Sequence, residues 1–219
     1  MKPRHSIAAA AALILIAAPA LAKDTAPAPT VDTIVSSLTA RMDAVAAYQA
    51  RVHLNIHMHS FPFLIADLDG TTTYARPGKY SVTFDSLPAL ASAFQKVSGD
   101  IGDPAAWKQK YNVALDTEDA AAQAGTLVLR LSEKIHGQVD HALAYVDMAS
   151  NTVTRMEWYY YSGGRIAMEQ HFSPVDGVLL VDSQAADIDM PGYRATAQAV
   201  FNGYNVQVSM NPSAHPAAR

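Results

Sequence analysis

Residues 51–60, RVHLNIHMHS, place three of the chain's eight histidines within seven positions. On an extended strand His53, His57 and His59 share one face, with Asn55 between the first two. Two imidazoles two positions apart on a strand can chelate a metal ion. No cysteine or carboxylate close by in sequence completes a coordination shell, so a polar outer strand face stands beside the metal reading. Asp67/Asp69 and Asp187/Asp189 are carboxylate pairs at strand spacing, each pair on one face, which is the pattern of a solvated exterior. Ser162-Gly163-Gly164 has the composition of a hairpin turn more than of a nucleophile elbow. No nucleophile carries a local motif and no acid–base constellation is visible. An enzyme is therefore not expected, nor a cofactor or metal centre.

The elements that position these residues follow from periodicity. VDTIVSSLTARMDAVAAYQA repeats apolar residues at Ile34, Leu38, Met42, Val45 and Tyr48, which predicts an amphipathic helix of about five turns capped by Thr30 or Asp32. Two-residue alternation then sets Val52, Leu54, Ile56 and Met58 against the histidine face. A second strand follows the break at Pro62, and a third follows the turn at Pro77-Gly78, with Tyr80, Val82 and Phe84 on one side. SLPALASAFQKVSG and DPAAWKQKY read as short helices, the second with Asp103 as cap and Pro104 in its first turn. DTEDAAAQAG reads as a loop. From Gly125 onward TLVLRLS, VDHALAYVDM, TVTRMEWYYY, RIAMEQHF, VLLVDSQAADI, RATAQAVF and YNVQVSM are strands, with turn signals at Ser150-Asn151 and Gly163-Gly164.

These elements make an α+β fold. About ten antiparallel strands form one strongly curved, unclosed barrel-like sheet, covered by an N-terminal helix and short lid helices. Half of the residues are hydrophobic and 16% are charged, which favours an enclosed ligand cavity over a charged cleft.

Compartment is legible at the N-terminus. Lys2 and Arg4, the apolar run Ile7–Ala18, Pro19 and the small residues Ala20-Leu21-Ala22 form the layout of a secretory signal peptide cut after Ala22. The expected organisation is a signal peptide over 1–22, a linker over 23–30, one domain over 31–210 and a flexible tail over 211–219. The chain has no cysteine, which excludes disulfides and lipid attachment through an N-terminal cysteine. Cleavage leaves 14 basic residues against 20 acidic ones, a net charge near −6 with no basic patch, so nucleic acid is not an expected partner.

The segment Leu38–Phe84 resembles the periplasmic outer-membrane lipoprotein carriers, the LolA/LolB-like superfamily. The shared features are a helix ending LTARMDAVAAYQARV, a strand, and then Gly70 followed by TTTYARPGKYSVTF with Arg76-Pro77. YVDMASNTVTRMEW and HFSPVDGVLLVD are similar to the later hairpins of that family. The resemblance implies an open β-barrel with a helical lid over a hydrophobic cavity for acyl chains. It also implies that Arg76, before the proline, latches the lid. Strand alternation separately puts Arg76 on the face of Leu68 and Tyr74, where a guanidinium must bond carbonyls or a carboxylate, or snorkel to water. The chain departs from the family after the third strand, because Asp85 runs directly into SLPALASAFQKV where the carriers continue with further strands.

The expected cavity lining is Leu54, Ile56 and Met58 on the first strand, Leu68 and Tyr74 on the second, and Tyr80, Val82 and Phe84 on the third. Met156, Trp158 and Tyr160, then Ile166, Met168 and Phe172, extend it on two later strands; this stripe is first of all core, and its methionines and aromatics also suit a plastic lipid pocket. The functional expectation is a monomeric periplasmic carrier of lipid or lipoprotein acyl chains, with docking proteins in the inner and outer membranes as further partners. A non-transport envelope sensor or protein-interaction module on the same fold is the alternative.

Overall fold

The computed structural model describes residues 29–60, 64–76, 79–85, 101–117 and 125–208. The expected signal peptide, most of the 23–30 linker, the Pro62 break, the Pro77-Gly78 turn, the helix expected over 86–99, most of the loop over 116–125 and the 211–219 tail lie outside the described residues.

Thr30 caps the first helix, α1 (Val31–Ala40), its Oγ1 accepting from the Thr33 amide at 3.2 Å. Ile34, Val35 and Leu38 form its buried stripe. The helix is half as long as the apolar spacing predicts: the chain turns over 41–44 and Val45 opens strand β1 (Val45–Met58). Tertiary packing decides this. Val45 is fully buried against Tyr74, Val178 and Leu180, and the Tyr48 ring stacks on Tyr74 at 5.4 Å, so both side chains are satisfied by neighbouring strands.

Nine further strands complete one sheet: β2 (Ile65–Ala75), β3 (Lys79–Phe84), β4 (Tyr111–Asp116), β5 (Thr126–Glu133), β6 (Val139–Asp147), β7 (Thr152–Tyr160), β8 (Arg165–Val175), β9 (Val178–Met190) and β10 (Tyr193–Val208). Their order is β3-β2-β1-β10-β9-β8-β7-β6-β5-β4, antiparallel throughout. A β3–β4 pairing would close this order into a barrel. The sheet stays open there.

The segment between those two edges brings a 3-10 turn (Pro104–Ala106) and the short helix α2 (Trp107–Lys110), which runs directly into β4. Gly102 presses on β3 so closely that a Cβ there would lie 2.8 Å from Tyr80 Cδ1. Trp107 is 1% exposed and belongs to the main core with Ile34, Leu38 and Ile101. α1 packs on the 3-10 turn and on β4, and Lys108 Nζ pairs with Asp32 at 2.5 Å.

Ten strands were expected, but the set differs. YNVALD forms β4, which its sequence did not announce, and RATAQAVF runs on through YNVQV as one continuous β10. A bulge at Gly203 lies between the two segments expected as separate strands. Gly203 has φ +62°, and the register against β1 slips between Gln49 and Arg51.

Inward positions form the core: Val52, Leu54, Ile56 and Met58 of β1 are all at most 4% exposed. Gly70 is required by the β2–β3 approach, since a Cβ there would sit 2.3 Å from the Thr83 carbonyl oxygen. Strand alternation sends Glu157, 2% exposed, to the opposite face from Met156 and Trp158. Its carboxylate accepts from Arg165 Nη2 at 2.7 Å, Tyr159 Oη at 2.5 Å and Arg155 Nη2. No helix among the described residues is long and apolar enough to cross a membrane.

Candidate ligand cavity

α1 ends above the concave face of the sheet, and the space beneath its last turn is a cavity of about 540 Å³. Leu38, Thr39, Arg41 and Met42 form its roof. Tyr48, Tyr74 and Tyr80 form one wall, with Ile101 to Ala106 beside them. Phe172, Leu179, Leu180 and Val181 form the other wall, and Val153, Gln170, Gln184 and Gln109 also line the cavity, with Asp43 and Arg76 at its edge. The volume falls in the ~300–1,000 Å³ range of small-molecule sites.

Polar groups on the lining are mostly engaged. Gln184 Nε2 donates to Gln170 Oε1 at 2.9 Å, and Gln170 Nε2 donates to the Val153 carbonyl at 2.6 Å. Burial, reinforced by the neighbouring tyrosines, raises the Tyr48 phenol well above its usual pKa, and burial also raises Tyr80. Both hydroxyls are therefore neutral donors at physiological pH.

Arg76 stands just past the end of β2, at the cavity rim. Its Nη1 donates to the Asp43 carbonyl and its Nη2 to Asp43 Oδ1, each at 3.0 Å, while its amide donates to the Ala46 carbonyl at 2.9 Å. The guanidinium thus ties the turn that follows α1 to the end of β2. Its side chain is 37% exposed, so it combines carbonyl and carboxylate bonding with contact to water.

Arg41 was not singled out by its sequence. It follows the last residue of α1, with its guanidinium 5.2 Å from the Phe172 ring centroid and its Nη1 donating to the Leu179 carbonyl at 2.5 Å. Its Nε is buried and finds no partner among the described residues. Burial lowers its pKa from the usual guanidinium value. A signal was present: Arg41 lies three residues after Leu38 and seven after Ile34, so a cation continues the apolar stripe of the helix. Gln170, between Met168 and Phe172 on an inward face, carried the same kind of signal.

No family model matches the chain, and no curated protein matches it. Solved structures do. A DUF1329 family protein from Desulfovibrio piger aligns with a TM-score of 0.59 at 12% identity, over 84% of this chain and 96% of that one. A domain described as an outer membrane lipoprotein-sorting protein from Vibrio parahaemolyticus aligns at 0.59 and 12% identity, over 81% and 92%. A LolA superfamily protein from Nitrosomonas europaea gives 0.60 and 10%, over 82% and 94%. The chain has the LolA-type fold.

Within this LolA-type fold, Tyr74, Tyr80 and Phe172 of the expected lining reach the cavity, as does Arg76. The other positions pack elsewhere. Leu54, Ile56, Met58, Leu68 and Val82 are buried in the main core, together with Met156, Trp158, Ile166 and Met168. Phe84 and Tyr160 are partly buried against that core.

The histidine face points outward. His53 Nδ1 lies 3.0 Å from Asp69 Oδ1, His59 Nε2 lies 3.2 Å from Thr196 Oγ1, and the His57 and His59 rings are 4.8 Å apart. No group of three His, Cys, Asp or Glu among the described residues has metal-binding geometry. Asp67 accepts from Asn55 Nδ2 at 2.7 Å, and Asp189 pairs with Arg194 at 3.1 Å, both on exposed surface. Ser162-Gly163-Gly164 is the β7–β8 turn, with Gly163 at φ +85°.

Proposed function

We propose that this protein is a periplasmic carrier that holds the acyl chain of a lipid or lipoprotein in the cavity beneath α1. The observation that carries this reading is the 540 Å³ space itself, walled by tyrosines, Phe172 and leucines and bordered by the Arg76–Asp43 tie. Each buried methylene contributes about 0.8 kcal/mol, so ten contribute about 8 kcal/mol before the costs of association. Breaking the Arg76–Asp43 tie frees the turn after α1, which makes Arg76 a latch on the helix that roofs the cavity. The likeness to a lipoprotein-sorting domain and a LolA superfamily protein supports the fold on which this reading depends. Export rests on the N-terminal signal layout, with cleavage after Ala22.

Native mass spectrometry of protein taken from its own periplasm tests the reading. A co-purifying lipid adduct that is lost more readily from Arg76→Leu is the expected result. A cavity that is repeatedly empty would instead favour the non-transport envelope module, and unchanged lipid retention in Arg76→Leu would remove the latch. N-terminal sequencing of the same sample should begin at Lys23.

A further inference from the structure

The cavity roof carries a cation whose bonding is incomplete. A guanidinium has five N–H donors, and Arg41 places one of them, through Nη1, on the Leu179 carbonyl. Its Nε is buried without a partner among the described residues. Among the described residues two carboxylates border the cavity, Asp43, which bonds Arg76, and Asp103, just before the 3-10 turn, and Arg41 forms an ion pair with neither. Among the described residues, the groups that face Arg41 are the Phe172 ring, the Leu179 carbonyl and the phenols of Tyr48 and Tyr74. A half-buried charge without a counter-charge among the described residues is costly, and each water removed around it strengthens its attraction for any anion that enters.

Resting on the carrier reading above, we infer that the cavity takes a single-chain amphiphile with an anionic headgroup, a carboxylate or a phosphate, and that Arg41 is the residue that recognises it. The headgroup sits at the roof, within reach of Arg41 and the Tyr48 and Tyr74 hydroxyls, and the chain runs down between the tyrosine wall and Phe172. Size sets the chain number. At ~30 Å³ per non-hydrogen atom, a liquid water's share of volume, the cavity holds about eighteen such atoms. That is one chain of about a dozen carbons with its headgroup, and not several chains.

The test is a titration of the full-length mature protein with four twelve-carbon amphiphiles, each below its micelle concentration: dodecyl phosphate, dodecanoate, dodecyl maltoside and dodecyltrimethylammonium. Wild type should bind one or both anions about ten- to a hundredfold more tightly than the maltoside, the range of a charge-assisted hydrogen bond. The cation should bind most weakly. The anion that wins distinguishes a phosphate source from a carboxylate source. Arg41→Gln should erase the preference, so that the anions and the maltoside bind within about twofold of one another. Arg41→Lys, which keeps the charge and loses the fork, should restore part of it. Thermal unfolding of both variants verifies that they are folded. Equal binding of all four headgroups, or a preference that survives Arg41→Gln, overturns the anion inference and leaves the carrier reading intact. If no chain binds to wild type at all, the carrier reading fails and this inference fails with it.

Discussion

Replacing Trp107 with alanine tests whether the segment that bridges the open side of the sheet is pinned into the core or only draped over it. The indole is 1% exposed and shares one packed cluster with Ile34, Leu38, Ile101 and Tyr111. Truncating a fully buried tryptophan costs about 3–5 kcal/mol when its surroundings relax only in part. That is a large share of the 5–15 kcal/mol typical of a domain, and at this chain length it lowers Tm by roughly 6–20 °C. Circular dichroism reads the effect directly. Fluorescence adds a local view, because the chain has only two tryptophans, Trp107 and Trp158. Trp158 Nε1 is buried without a partner among the described residues, so Trp158→Phe sacrifices no hydrogen bond there and leaves Trp107 as the sole reporter. In that background the Trp107 emission and the dichroism should change at the same urea concentration, as one cooperative unit does. A Tm drop below about 2 °C in Trp107→Ala, or emission that shifts well before the sheet melts, would refute the pinned arrangement.

Gly70→Ala should destabilise the protein by about 1–3 kcal/mol, because its Cβ would fall 2.3 Å from the Thr83 oxygen and force β3 away; urea unfolding within 0.5 kcal/mol of wild type would contradict this close approach. Glu157→Gln should cost about 3 kcal/mol at pH 7, the low end for a broken buried pair, because Arg155 and Arg165 still reach water. Burial opposes ionisation of Glu157, but the hydrogen bonds from Arg165 and Tyr159 and the charges of both arginines outweigh it, so its pKa lies below the usual glutamate value. The stability it supplies is present above about pH 4.3 and is lost as pH falls through the lower native pKa. The gap between wild type and Glu157→Gln in chemical denaturation should therefore narrow on acidification, and a gap constant from pH 7 to pH 3 would contradict the assignment.

Particular residues explain what the chain did and did not disclose. Alternation identified the inward face of β1 because Val52, Leu54, Ile56 and Met58 stand opposite polar neighbours, and all four are buried. Alternation reports which face a residue is on, not how deep the material above it lies. Trp158 and Met168 share the inward face with Phe172, yet they pack in the main core while Phe172 lines open space. The helix end was hidden because Met42, Val45 and Tyr48 continue its spacing, and the contacts that draw Val45 and Tyr48 into a strand come from Tyr74, Leu180 and Tyr204. Strand β4 has only six residues and no clean alternation, with Asn112, Ala114 and Leu115 all exposed. Arg41 acquires its meaning from Phe172 and Leu179, more than 130 positions away, which local spacing does not encode.

The β1–β10 pairing, at the third and fourth places of the strand order, bears on how this molecule comes into being. Val52 sits opposite Phe201 and His53 opposite Val200, so the first strand waits for the last before β1–β3 join the rest of the sheet. Loop closure over such separations is slow, and a chain emerging from synthesis presents β1 long before its partner exists. The early strands can form only the β1–β2–β3 hairpins, one side of the sheet with its core face uncovered. For a protein proposed to cross a membrane as a thread, that delay is useful. The sheet is completed only once the last strand is available to the first.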